Sequence, residues 1–500
     1  MLIPLTSGAY SSQSLIADAQ RCINLYVEAN PKETTPETPT SHYPRPGLKL
    51  LSNPPTLGPG RCLYPANDGS LYAVVNQSLY YIDPNYVWNF VGNLITTATT
   101  PVYMADNGTT AIVVDGSPNG YQVTLAGRAF SQITDVNFLG STGADFLDGF
   151  ICLNVPGTKE WYSTILDEIQ FNALFVGVKT AWPDNVIRVV TVERQVWVFG
   201  PKKSEVWYNA GNPVFPFSIM PGNIIEQGCA APYSPAKMDT NVYWLSQTPE
   251  GDRMVMRGNS QNIAQRISTH AIEFEFRKYP VVSDAIGSTY QVSGHSFYLL
   301  TFPTADKTWV FDEATQQWHE DSWIDTNGVL HRCRNTFNAF SYGINVGLDW
   351  NTGALYQVDP LTYTDNTTSP VVCIRSFPHI VEELKYTSYS SFVADVATGY
   401  GIGTTELSAI LSPWSPGFSS GFGPITSVIA PLLAMRLSRD GGYTFGNYRF
   451  KKLLSSGHYR SMERYRANGI ARDMVFELNF TAQMVSALNG GYVDILKGSA

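Results

Sequence analysis

Seven stretches of the chain share one arrangement of apolar and polar positions. They begin at Gly69 (GSLYAVVNQSLYYIDP), Thr109 (TTAIVVDGSPNGYQV), Asp148 (DGFICLNVPGTKEWYST), Glu193 (ERQVWVFGPKKSEVWYNAG), Asn241 (NVYWLSQTPEGDRMVMRG), Gly294 (GHSFYLLTFPTADKTWVFDEATQQW) and Ser341 (SYGINVGLDWNTGALYQVDP). In each, a run of β-branched and aromatic residues meets a polar turn, and a second such run leads into Asp, Asn or further turn residues. The alternation has period two, so each stretch predicts a hairpin with one buried face. The turns VDGSPNG, NVPGT, TPEGD and DWNTG supply Gly and Asn where the backbone needs positive φ.

The hairpins recur at roughly 40- to 50-residue intervals. That interval holds four short strands, one blade of a β-propeller. A β-sandwich does not usually sustain such a pattern over some 300 residues. The expected fold is therefore all-β, with a propeller of six to eight blades.

The stretch TWVFDEATQQWHED, Thr308–Asp321, crowds four carboxylates, a histidine and two tryptophans together. It reads as architecture. Asp312 closes a strand, the EATQQ segment turns, and Trp318 opens the next strand. Asp83 and Asp359 stand at equivalent places, where an Asp side chain bonds backbone N–H groups a residue or two on.

The flanks differ from the repeats. Residues 1–60 are expected to form an N-terminal arm with one strand and a Pro/Thr-rich loop over 32–43. The propeller is expected over 61–368. Residues 369–500 read as a C-terminal antiparallel β-sandwich, with SRDGG turning one hairpin and MVFELNF and GGYVDILK supplying further strands. A Pro/Gly/Ser loop surrounds Trp414. The segment STHAIEFEFRKY, from Ser268, fits a short helix or a strand.

Composition agrees with an all-β chain: 15% charged residues, 13% aromatic, 41 Gly and 31 Pro. The net charge of −9 gives no basic face for gripping phosphates. Only RFKKLL and RYRANGIARD, near the C-terminus, are locally basic. We expect Lys451, Lys452, Arg464, Arg466 and Arg472 there to serve subunit or adaptor contacts.

Candidate chemistry is sparse. The six cysteines show no C-x-x-C spacing and are expected reduced and buried, as in a chain folding in cytoplasm. The seven histidines have no metal-ligand spacing. His319, Glu320 and Asp321 are consecutive, and successive strand residues point to opposite faces. Gly417–Gly421 fits G-x-S-x-G around Ser419, but without the strand-to-helix setting a nucleophile needs. The glycines from Gly399 lack a Walker lysine. No catalytic, metal or cofactor-binding residue is assigned and no cofactor is expected. The start MLIPLTSGAYSSQS is unlike a signal peptide, and no run is long enough to span a membrane as a helix.

The whole chain resembles the tail nozzle proteins of short-tailed bacteriophages, also called tail hub or packaged-DNA stabilisation proteins. INLYVEANPKE with PRPGLKLL is similar to that family's opening. RQVWVFGPKKSEVWYNAGNP resembles its central blade, IIEQGCAAPYSPAKMDTNVYWLS the segment after it, and LSRDGGYTFGN with ARDMVFELNF its C-terminal sandwich. The chain departs from the family at the 32–43 loop and near Trp414.

The resemblance implies a non-enzymatic virion protein of the phage tail, assembled in the host cytoplasm as a homohexamer. Its implied partners are the head–tail adaptor ring, a tail spike or fibre, a tail needle or plug, and double-stranded DNA passing without sequence-specific binding. Six copies at −9 would carry −54 (6 × −9), so an acidic, polar channel wall is expected. The alternatives are a receptor-binding tail module or a carbohydrate-active propeller enzyme. The enzyme would need two carboxylates ~5–10 Å apart at the propeller's central mouth.

Overall fold

The computed structural model describes residues 1–3, 5–30, 40–248, 250–366, 369–383, 385–400, 432–453, 460–481 and 485–497. They form two compact units. One comprises 48–316 and 331–359; the other joins 1–47, 317–330 and 360–500. The three successive segments expected from the sequence are thus not the compact units. Residues 1–47 share a core with the C-terminal sheets instead of forming a separate arm.

The larger unit is the propeller. Its inner strands are Gly60–Pro65, Tyr103–Asp106, Ala144–Leu147, Arg188–Val192, Ala236–Met238, Ile286–Val292 and Asn335–Ser341. Each begins an antiparallel sheet, and we number these sheets blades 1 to 7 in chain order. Six blades have four strands within the unit's sheets; blade 6, Ile286–Asp312, contributes three. Blade 7 takes its outer strand from the other end of the unit, because Gly47–Ser52 pairs Leu355–Asp359. This closes the ring without a covalent link at that point.

The seven hairpins read from the sequence are the two middle strands of the seven blades, as in Leu71–Val75 with Ser78–Ile82 and Ile344–Asp349 with Leu355–Asp359. Gly157 (φ 77°) and Gly353 (φ 69°) occupy the positive-φ region at two of the turns. Apolar side chains from adjacent blades pack between the sheets. Trp161 of blade 3 is fully buried, with ring centroids 5.5 Å from Trp207 and 5.2 Å from Phe217 of blade 4.

Asp312 does what its position suggested. Its carboxylate accepts from the Ala314 N–H (3.0 Å) and the Thr315 hydroxyl (2.7 Å), and it meets His295 Nδ1 at 2.8 Å. Asp83 likewise accepts from the N–H groups of Asn85 and Val87. The Ser268 segment resolves as a helix, His270–Arg277, capped by Thr269. Buried Glu273 in its first turn is bonded to Ser268 and Arg266.

The second unit is a sandwich. One sheet runs Arg460–Arg466, Thr387–Tyr400, Val485–Lys497, Thr40–Pro44, Leu25–Ala29; the other contains Cys22–Ile23, Cys373–Ser376, Asp473–Thr481, Leu432–Ser438 and Arg449–Lys452. Their inner faces meet in one core, where Phe392 stacks on Phe476 at 4.5 Å. The SRDGG turn lies where expected. Asp440 holds it by accepting from Thr444 N–H (2.9 Å), and Gly441 (φ 70°) and Gly442 (φ 88°) supply the curvature. Trp318 is buried in Gln317–Ile324, a strand of this unit; its carbonyl accepts from Ala9 N–H at 2.6 Å.

Candidate functional site

The seven inner strands converge on the propeller axis. A cavity of about 250 Å³ runs there, reached by residues of every inner strand. Lys237 of blade 5 pairs with Asp145 of blade 3 at 2.8 Å. The second Asp145 oxygen accepts from Thr191 N–H at 2.8 Å. The Arg188 guanidinium lies 3.5 Å from the centre of the Tyr103 ring and donates to the Thr142 carbonyl. Burial pushes the Tyr103 hydroxyl up to about 12, against the opposing pull of Arg188. A space of this size cannot hold a DNA duplex, whose major groove alone is ~12 Å wide.

A glycosidase would need two carboxylates converging here. Among the residues lining this cavity Asp145 is the one carboxylate, and it is paired with Lys237. Asp239 lines an adjoining mouth of about 480 Å³ and accepts from Gln291 Nε2 at 2.9 Å.

His319 and Asp321, two residues apart, share a face of their strand in the sandwich unit, 3.4 Å apart and buried. Burial raises the Asp321 carboxyl above its ordinary range, with His319 opposing. No group of three or more metal-ligating side chains converges among the described residues. All six cysteines are buried thiols outside any disulfide. Ser419 lies outside the described residues, as does the glycine run beyond Tyr400.

The five basic residues singled out from the sequence occupy the sandwich unit. Arg460–Arg466 and Arg449–Lys452 are terminal strands of their respective sheets. Lys451 reaches across to Glu463 at 3.4 Å, so the two edges meet. Arg464 stands 3.9 Å from Asp494, and Arg466 is exposed beside it on alternating strand positions. Arg472 packs over the exposed Tyr386 ring at 4.5 Å. Lys452 ends its strand; its side chain is outside the described residues. Lys451, Arg464 and Arg466 therefore share one sandwich edge, whereas Arg472 makes its contact elsewhere. Arg460, which the sequence reading did not single out, joins that edge through a bidentate pair with buried Asp395 (2.8 and 2.6 Å).

Residues 1–362 match the family described as bacteriophage P22 Gp10, β-propeller, the phage stabilisation family. The chain belongs to that family. It is a structural protein of a phage tail and a virion component, as its resemblance to packaged-DNA stabilisation proteins implied. No curated protein matches it. Solved structures similar to it at 10% identity include the extracellular domain of a one-component system from B. thetaiotaomicron (TM-score 0.42, 62% of this chain and 39% of that one). Others are the WD40 β-propeller domain of Doa1 (0.39, 62% and 97%) and BamB from Moraxella catarrhalis (0.36, 62% and 99%).

In this Gp10-family chain the five basic residues all fall beyond the matched segment. No helix among the described residues is long and apolar enough to cross a membrane. The Lys237–Asp145 pair was not legible beforehand: its members stand 92 positions apart, each on an inner strand too short to advertise itself.

Proposed function

We propose that this chain is the subunit of a homohexameric tail nozzle seated under the head–tail adaptor ring. It extends the DNA channel, retains the packaged genome until infection, and docks a tail spike or fibre, with a needle or plug closing the far end. The observation that carries this reading is the match of residues 1–362 to the P22 Gp10 family. The narrow, ion-paired propeller axis supports a conduit formed between subunits rather than within one. The net charge of −9 per copy supports a wall that repels the duplex instead of holding it, since each Lys or Arg on a phosphate adds sequence-independent attraction. The basic sandwich edge at Lys451, Arg464 and Arg466 then faces a neighbouring subunit or the adaptor, away from the lumen.

Electron microscopy of the recombinant chain, alone and with its adaptor, tests this. Sixfold rings with an open centre are expected. A chain that remains monomeric with and without adaptor would overturn the proposal, and so would a ring whose lumen is lined by Lys451, Arg464 and Arg466.

A further inference from the structure

The mouth of the propeller axis holds an exposed aromatic ring that the fold does not use. Phe340 is on the inner strand of blade 7 and is 65% exposed, while its neighbours Ala339 and Ser341 are buried. It lines the cavity of about 480 Å³ formed by blades 5, 6 and 7, within the roughly 300–1,000 Å³ typical of small-ligand sites. A Phe ring left in water keeps its apolar surface hydrated, so a bare ring in a concavity is a ready platform.

The polar groups around it are joined by hydrogen bonds. Gln291 Nε2 donates to Asp239 Oδ1 at 2.9 Å, and Asn345 Nδ2 donates to the Gln291 carbonyl at 2.6 Å. Asn345 sits directly opposite Phe340 across the strand pair. One hydrogen-bonded chain thus links three blades and ends beside the ring. Its amide nitrogens are anchored, so the amide oxygens of Gln291 and Asn345 and the second Asp239 oxygen are held as acceptors at the rim.

We propose that this mouth binds a neutral pyranose unit of a glycan. A sugar presents an apolar C–H face to stack on Phe340 and hydroxyl donors at its edge for the fixed oxygens. An anionic ligand fits poorly, because Asp239 lies in the wall and the one cation there, Lys237, is already paired with Asp145. An apolar ligand would leave the amide and carboxylate groups desolvated without partners. Every group that lines the mouth comes from one chain.

The test uses the full chain with maltotriose, mannotriose, cellotriose and N-acetylchitotriose as probes, read by saturation-transfer NMR on the sugar protons. Saturation of ring C–H protons of at least one trisaccharide is expected. Binding should weaken at least about tenfold in Phe340→Ala, persist in Phe340→Trp, and weaken in Gln291→Ala. Because Phe340 is exposed, its variants should keep the parent melting temperature. If Phe340→Ala does not fold, the Phe340→Trp and Gln291→Ala pair decides. Absence of saturation with all four sugars overturns the proposal, as does a signal indifferent to these substitutions.

Discussion

Removing Asp365 should destabilise the sandwich unit far more than removing both members of its ion pair. Arg45 and Asp365 are almost wholly buried, with side-chain exposures of 3% and 0%, and meet through two contacts of 3.2 and 2.6 Å. The guanidinium also donates to Asn24 Oδ1 (2.8 Å), the Pro46 carbonyl (2.9 Å) and the Ser322 carbonyl (3.0 Å). Asp365→Ala strands a buried cation, which costs about 3–5 kcal/mol, whereas replacing a buried pair by apolar residues of similar volume is often near neutral. For a unit of roughly 200 residues, each kcal/mol is worth about 2–4 °C, so Asp365→Ala should lower its transition by about 6–20 °C. Arg45→Met with Asp365→Leu should recover most of that loss. Asp365→Asn should fall between, because it keeps an acceptor but loses the charge. Differential scanning calorimetry of the full chain would follow the sandwich transition beside that of the propeller. A loss below about 1 kcal/mol for Asp365→Ala, or a double variant no better than the single one, would refute the reasoning.

Three further outcomes are expected. Burial, with Arg375 adding to it, lowers the His42 pKa from 6.5 to about 3. The unfolded chain alone takes up that proton between those values, so His42 contributes stability that is full above pH 6.5 and lost as pH falls toward 3; urea midpoints for His42→Gln should flatten the acid slope by up to about 1.4 kcal/mol per pH unit. In Gly287→Ala the new Cβ would strike the Ser234 backbone carbonyl, which cannot swing aside, so the propeller transition should drop by about 1–3 kcal/mol in the same calorimetry. Combining Lys451→Glu, Arg464→Glu and Arg466→Glu should abolish ring or adaptor assembly in sedimentation while shifting stability by no more than about 0.5 kcal/mol per site; unchanged assembly would remove these residues from the interface.

The middle hairpin of every blade was legible in the sequence, because period-two burial and turn chemistry act over fewer than about ten residues. Asp312 could be read as a turn cap for the same reason, since the groups it bonds lie two and three positions on. The ring closure could not be read. Gly47–Ser52 finds its partner strand, Leu355–Asp359, some three hundred positions away. The fate of the N-terminal segment was equally hidden, since His42 pairs Leu488 and Leu2 pairs Tyr492. An exposed edge accepts any strand of suitable length, so only the shared core of Leu25, Phe392 and Phe476 selects the partner. The axial site has the same origin. Asp145, Lys237, Gln291 and Phe340 are ordinary strand residues one at a time, and they become an ion pair at the axis and a polar mouth beside it only because seven inner strands converge. Local periodicity fixes which residues turn and which are buried; the closed ring, a cooperative property of all blades together, decides which of them meet.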